Sequence, residues 1–132
     1  MSADPASRSG RVTGLGGVFF KARDPQMLAA WYAAHLGFPV EDWGGAIFRN
    51  ADEPRADAYT NWSPFAADTS YFSPSPHGFM LNLRVDDVDA LVARLRAAGV
   101  RVLDRGDDNE FGRFRYVLDP EDHLLELWEP PA

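Results

Sequence analysis

Three histidines and a pair of arginines are the residues whose type and setting first suggest chemistry. His77 lies between Pro76 and Gly78, at the mouth of the second half of the chain, placed to reach a ligand. His35 falls near the end of a helical run, where a positive charge suits the helix dipole, a structural role. His123 sits in the turn before the last strand and reads as structural too. Arg113 and Arg115 alternate with Phe114 and Tyr116, so both point to one side of a strand, either to bind an anion or to form a solvated face. Cysteine is absent, which excludes disulfides, thiolate metal sites and a cysteine nucleophile. The formal charge of −7, from 20 acidic and 13 basic residues, repels phosphate backbones and argues against nucleic acid as a partner.

The elements that must position these groups can be read in order. Leu15 to Ala22 is a strand weakened by its glycines. Asp24-Pro25 supplies a cap and a first helical proline for a helix carrying Met27, Leu28, Trp31, Tyr32 and Leu36, which stops at Gly37. Short strands are expected at Phe38 to Glu41, Ala46 to Arg49 and Ala58 to Ser63. The order then begins again with a strand at Phe79 to Val85 and a helix capped by Asp87 that carries Val88, Leu91, Val92 and Leu95. Strands at Val100 to Leu103, Phe114 to Leu118 and Leu124 to Trp128 complete it.

Laid on each other, the halves match Asp24 with Asp87, Leu28 with Leu91, and Trp62-Ser-Pro64 with Trp128-Glu-Pro130. Each half therefore reads β-α-β-β-β. Residues 1–12 read as a flexible leader and 13–132 as one domain. Its modules run from about 13 to 64 and from 79 to 130, with a proline- and serine-rich linker at 65–78. The expected class is α+β: two tandem βαβββ modules, helices covering one face and a curved mixed sheet forming a cup on the other. No apolar run reaches the roughly 20 residues a membrane span requires, and residues 1–10 lack the apolar segment of a secretory signal. A cytoplasmic protein follows as the expectation.

Several motifs resemble the vicinal oxygen chelate superfamily of glyoxalases, bleomycin-resistance proteins and extradiol dioxygenases. In the first half these are Phe20-Lys-Ala-Arg-Asp-Pro, Trp31-Tyr and Leu36-Gly-Phe38. In the second they are Arg84-Val-Asp-Asp-Val-Asp-Ala-Leu91, Ala97-Ala-Gly-Val100 and Asp119-Pro-Glu-Asp-His-Leu-Leu-Glu126. The resemblance covers nearly the whole chain after Thr13 and implies the glyoxalase/bleomycin resistance/dihydroxybiphenyl dioxygenase fold. It also implies a homodimer, since such chains commonly pair so that sheets meet.

In metal-using members four ligands face the cup, and the corresponding positions here are Gly17, Thr60, Met80 and Glu126. A divalent ion wants imidazole nitrogen or carboxylate oxygen, and only Glu126 offers it. No metal and no other cofactor is therefore expected. Strand alternation adds Phe19, Trp62, Asn82 and Trp128 to the cup-facing set, and puts Leu81, Leu83, Leu125 and Leu127 beneath the helices. Glu126 is either a relic, hydrogen-bonded to Thr60 or Asn82, or a carboxylate in a partly apolar cup that moves a proton. Trp62 and Trp128 fill the core or stack on a flat ligand.

Two functions fit this set. One is a metal-independent lyase or isomerase in which Glu126 is the proton-transfer base. The other is a bleomycin-resistance-type binding protein that sequesters a cationic aromatic compound without chemistry. In both, Phe19, Thr60, Trp62, His77, Met80, Asn82, Arg113, Arg115 and Trp128 are the candidate ligand contacts.

Overall fold

A computed structural model describes residues 10–13 and 15–132. Most of the expected leader, residues 1–9, lies outside the described residues.

Both helices form where their caps direct. Helix α1 spans Pro25–Leu36; the Asp24 carboxylate accepts from the Met27 amide at 3.1 Å, and Gly37 closes the helix at φ +70°. That left-handed cap suits glycine because a Cβ is disfavoured there. Helix α2 spans Val88–Ala97, with Asp87 accepting from the Ala90 amide at 3.0 Å. A short 3-10 turn at Asn50–Asp52 lies between them.

Four strands form one mixed sheet: β1 (Leu81–Arg84), β2 (Arg101–Asn109), β3 (Gly112–Leu118) and β4 (Leu124–Glu129). Their order is β1-β4-β3-β2, with β1 parallel to β4 and the other pairs antiparallel. The parallel pair needs a crossover, and α2 supplies it. Alternation along β4 divides the sheet cleanly. Leu125 and Leu127, with Val117, are packed with Leu28 and Tyr32 of α1 and with Val88, Leu91 and Leu95 of α2; Leu81 and Leu83 join them. Tyr116, Leu118 and Leu124 form a second cluster on the opposite face, with Tyr71, Phe72, Met80, Leu103 and Phe114 around it.

The class is α+β, with helices on one face of a mixed sheet. The β-α-β-β-β order is complete in the second half. In the first half only α1 is regular, and the extended segments at 15–22, 38–41, 46–49 and 58–63 form no second sheet among the described residues; Val40 and Ala46 make an isolated bridge. A strand is stable only when a neighbour satisfies its backbone groups and covers its side chains. Here Gly16-Gly17 and Gly44-Gly45 interrupt short runs that, among the described residues, pair no further than the Val40–Ala46 bridge. Phe19 is 96% exposed and Trp62 75%. The expected linker, by contrast, is packed: Tyr71 and Phe72 lie against the open face of the second-half sheet.

Candidate functional site

The cross-strand register sets Asn82, Glu126 and Tyr116 side by side on β1, β4 and β3. Residues in one such row share a face, so their side chains meet. The Tyr116 hydroxyl donates to Glu126 Oε2 at 2.7 Å, and Asn82 Nδ2 donates to Oε1 at 2.8 Å. Tyr71, from the segment between the halves, donates to the same Oε2 at 2.5 Å. Glu126 is 6% exposed and Tyr116 3%, so this carboxylate is buried and paired, as a buried charge must be.

The two phenol oxygens also lie 2.7 Å apart. Three oxygens thus make three short contacts with two protons among them, and one contact always lacks a hydrogen. Burial, followed by the hydrogen bond to the Glu126 carboxylate, holds the Tyr116 phenol well above the ordinary tyrosine range; the same two causes, in the same order, raise Tyr71. Both phenols are therefore donors at neutral pH. Arg105 covers the group, its guanidinium carbon 3.9 Å from the Tyr116 ring centroid and 4.6 Å from that of Tyr71, while Nη1 donates to the Tyr71 carbonyl at 2.9 Å. This cation over two aromatic faces has no carboxylate within ion-pair distance among the described residues.

The remaining sequence-derived candidates scatter. Met80 borders the Glu126 face, and Trp128, 6% exposed, stacks on Phe114 and donates its indole N–H to the Phe111 carbonyl at 2.7 Å. Arg113 and Arg115 stand on the helix face, not in the cup. Their strand parity is that of Val117, and they pair with Asp89 of α2 (Arg113 at 2.6 Å) and with Asp108 of β2 (Arg115 at 2.8 Å). They are a solvated ionic face. Gly17, Phe19, Thr60 and Trp62 lie in the exposed first-half segments, and none of them is a hydrogen-bond partner of Glu126.

His77 does not face the Glu126 group. Its ring stacks on His123 at 4.2 Å, and its Nε2 donates to the Glu121 carbonyl at 2.8 Å. His123 donates through Nδ1 to Asp119 Oδ2 at 2.7 Å, where the Tyr32 hydroxyl also donates at 2.7 Å. Glu121 accepts the amides of Arg23 and Asp24 at 2.7 and 2.9 Å. The Asp119-Pro-Glu-Asp-His123 turn is thus an anchor that ties the start of α1 and its Tyr32 to the sheet.

The four family ligand positions do not fit a divalent ion. Both Glu126 oxygens are already taken by donors, and no group of three or more histidine, aspartate or glutamate side chains suited to a metal occurs among the described residues. Two open clefts lie elsewhere. One of about 500 Å³ is lined by Asp108, Arg113 and Glu129, and one of about 190 Å³ by Tyr59, Arg84 and Trp128. Neither of these two clefts includes Glu126, and Tyr71 and Phe72 are packed on the Tyr116, Leu118 and Leu124 cluster of the same face.

Sequence reasoning missed Tyr71, Tyr116 and Arg105. Tyr116 carried a signal, since it alternates with the arginines and faces away from them. Nothing in the local pattern around Tyr71 marks it.

A family model described as a glyoxalase-like domain matches residues 17–128. Among solved structures, the chain is 30% identical to TnmS3, an antibiotic binding protein from Streptomyces sp. CB03234, over 82% of this chain and 88% of that one, with a TM-score of 0.49. TioX from Micromonospora sp. ML1 is 23% identical over 83% and 93% of the two chains, with a TM-score of 0.50. A protein of unknown function from Agrobacterium tumefaciens str. C58 is 19% identical over 89% and 98%, with a TM-score of 0.53. The last two show the fold alone. The chain spans about half, 48%, of a further matched structure, a conserved domain protein. No curated protein matches. No helix among the described residues is long and apolar enough to cross a membrane.

Proposed function

We propose that this chain, which belongs to the glyoxalase-like domain family, is a metal-independent small-molecule-binding protein that sequesters an aromatic compound at the Glu126 face. The observation that carries this reading is the state of Glu126. A proton-transfer base needs an oxygen free of fixed donors, and here the strand residues Tyr116 and Asn82 hold Oε2 and Oε1, with Tyr71 on Oε2 as well. A carboxylate so saturated is suited to orienting donors. The walls are those of a binding face, with Tyr71, Phe72, Phe114 and Tyr116 around it. The 30% identity to an antibiotic binding protein supports the same class, by analogy.

A thermal-shift screen of planar aromatic compounds tests it, followed by calorimetry and product analysis. A ligand at about a hundred times its Kd is expected to add about 2.7 kcal/mol of stability, with no product formed. Turnover that falls by roughly two orders of magnitude in Glu126→Gln would establish the lyase or isomerase instead. Tight zinc, nickel or manganese, lost in Glu126→Ala, would show that the chain recruits a metal after all.

The reading includes a cytoplasmic homodimer. Leu15, Val18, Phe19, Phe48 and Trp62 are each more than half exposed, and cover from a second copy of the chain would bury them, which supports the dimer. A monomer by light scattering at micromolar concentration refutes that part.

A further inference from the structure

The geometry points to Tyr71 as a built-in placeholder: its phenol occupies the seat of a phenolic ligand, whose hydroxyl displaces it from Glu126 and whose ring slides beneath Arg105. The inference deepens the small-molecule-binding reading and rests on it.

Three observations converge on that seat. Glu126 is reached from two kinds of structure. Tyr116 and Asn82 belong to strands and are fixed by the register, whereas Tyr71 belongs to an irregular segment that lies on the sheet from outside. The oxygen triangle is one hydrogen short, so releasing Tyr71 costs less than a hydrogen bond to a carboxylate ordinarily would. With Tyr71 gone, Tyr116 keeps its bond to Oε2 and loses the crowding at 2.7 Å. Finally, among the described residues Arg105 makes its Nη1 bond to the Tyr71 carbonyl and pairs with no carboxylate, yet it lies over both rings. When Tyr71 leaves, the guanidinium still covers Tyr116 and offers its other flank to any ring that enters.

What this seat selects follows from the group now in it. Oε2 accepts a hydroxyl carried on a flat ring, at a distance of 2.5 Å, with a cation against the ring face. A protonated phenol satisfies all three requirements. An aromatic ether offers the ring without the hydrogen, and a cationic aromatic meets Arg105 with like charge. The class expected here is therefore a neutral hydroxylated aromatic, which differs from the cationic aromatic compound of the bleomycin-resistance-type reading.

The test compares naphthol with its methyl ether, by calorimetry, against the intact chain, Tyr71→Phe and Tyr71→Ala, each checked for folding by circular dichroism. Tyr71→Ala empties the seat, and its affinity for naphthol is expected to rise roughly tenfold or more over the intact chain, while the ether stays weak. Tyr71→Phe frees the oxygen but keeps the ring, so its gain is expected to be smaller; it also stands as the folded variant if the alanine chain fails to fold. Naphthol is further expected to speed chymotrypsin cleavage of the intact chain at Tyr71 and Phe72. Unchanged naphthol affinity in both variants, or ether binding as tightly as naphthol, overturns the placeholder. If other aromatic compounds from the screen still bind, the binding function survives that result; if nothing binds any variant, both fall.

Discussion

Replacing Glu126 by glutamine changes one atom and isolates the role of the charge. In the native group two phenols and one amide donate to the carboxylate. Glutamine keeps one carbonyl oxygen, which must face the phenols, and turns its NH2 toward Asn82. The Asn82 amide is exposed, so it rotates to present its oxygen at little cost. Hydrogen bonds to a charged acceptor are worth about 1.5–3 kcal/mol each and neutral ones about 0.5–1.5, so two phenol bonds lose about 2 kcal/mol together. Glu126 and Tyr116 are almost fully buried, so their bond keeps its full weight, whereas Tyr71 is half-buried and contributes toward the low end. The expected loss is about 2 kcal/mol in urea denaturation followed by tryptophan fluorescence, or about 6–10 °C in Tm for a chain of this size. Glu126→Ala removes all three bonds; one phenol can then donate to the other, and the donor left without an acceptor adds about 1–3 kcal/mol to the loss. A second readout is the absorbance titration of tyrosine. The carboxylate's hydrogen bond helps to raise the Tyr116 and Tyr71 phenols, so in Glu126→Gln they should ionise at lower pH, though burial, the larger cause, keeps them above free tyrosine. If stability changes by less than about 0.5 kcal/mol and the tyrosine titration is unmoved, the oxygen triangle does not exist in solution and the placeholder argument loses its basis.

Other outcomes test the frame around that group. Asp119 accepts from the Tyr32 hydroxyl, the His123 ring and two backbone amides, so Asp119→Ala should cost about 3–5 kcal/mol in the same urea assay; a loss below about 1 kcal/mol would mean that the turn does not anchor α1. Tyr32, like Tyr116 and Tyr71, has its phenol raised, first by burial and then by a carboxylate partner. Unfolded tyrosine ionises near about 10, so the stability these groups lend is complete below that pH and is lost as pH rises beyond it. Alkaline denaturation that Tyr32→Phe leaves unshifted would contradict this. Glu121 is held below the ordinary glutamate range by the amides of Arg23 and then of Asp24; its contribution is present above that range and lost as pH falls below it. In Glu121→Gln, hydrogen exchange at those two amides should quicken at neutral pH, and unchanged protection would count against the anchor.

Much of the scaffold was legible because it rests on local chemistry. Asp24 and Asp87 are caps by side-chain reach alone, and Gly37 ends α1 because its φ of +70° suits glycine. The two-residue period of Leu124 to Trp128 separates Leu125 and Leu127 from Glu126 whatever the strand pairs with. The motifs across both halves, likewise local strings, were enough to point to the family. Non-local pairing was not legible. Sequence alternation showed that Arg113 and Arg115 share a side, but which side faces the helices depends on where β3 sits in the sheet, and only the packed structure settles that. The first-half strands read as plausibly as the second-half ones, yet a strand exists only with a neighbour, and no single segment specifies its neighbour. Glu126 stood out by its place in a motif, while Tyr71 reached it from 55 residues away through an irregular segment with no periodic signal. What the carboxylate can do depends on those donors. Its candidacy was thus written in the chain, and its chemistry was decided by what tertiary structure brings within 3 Å of it.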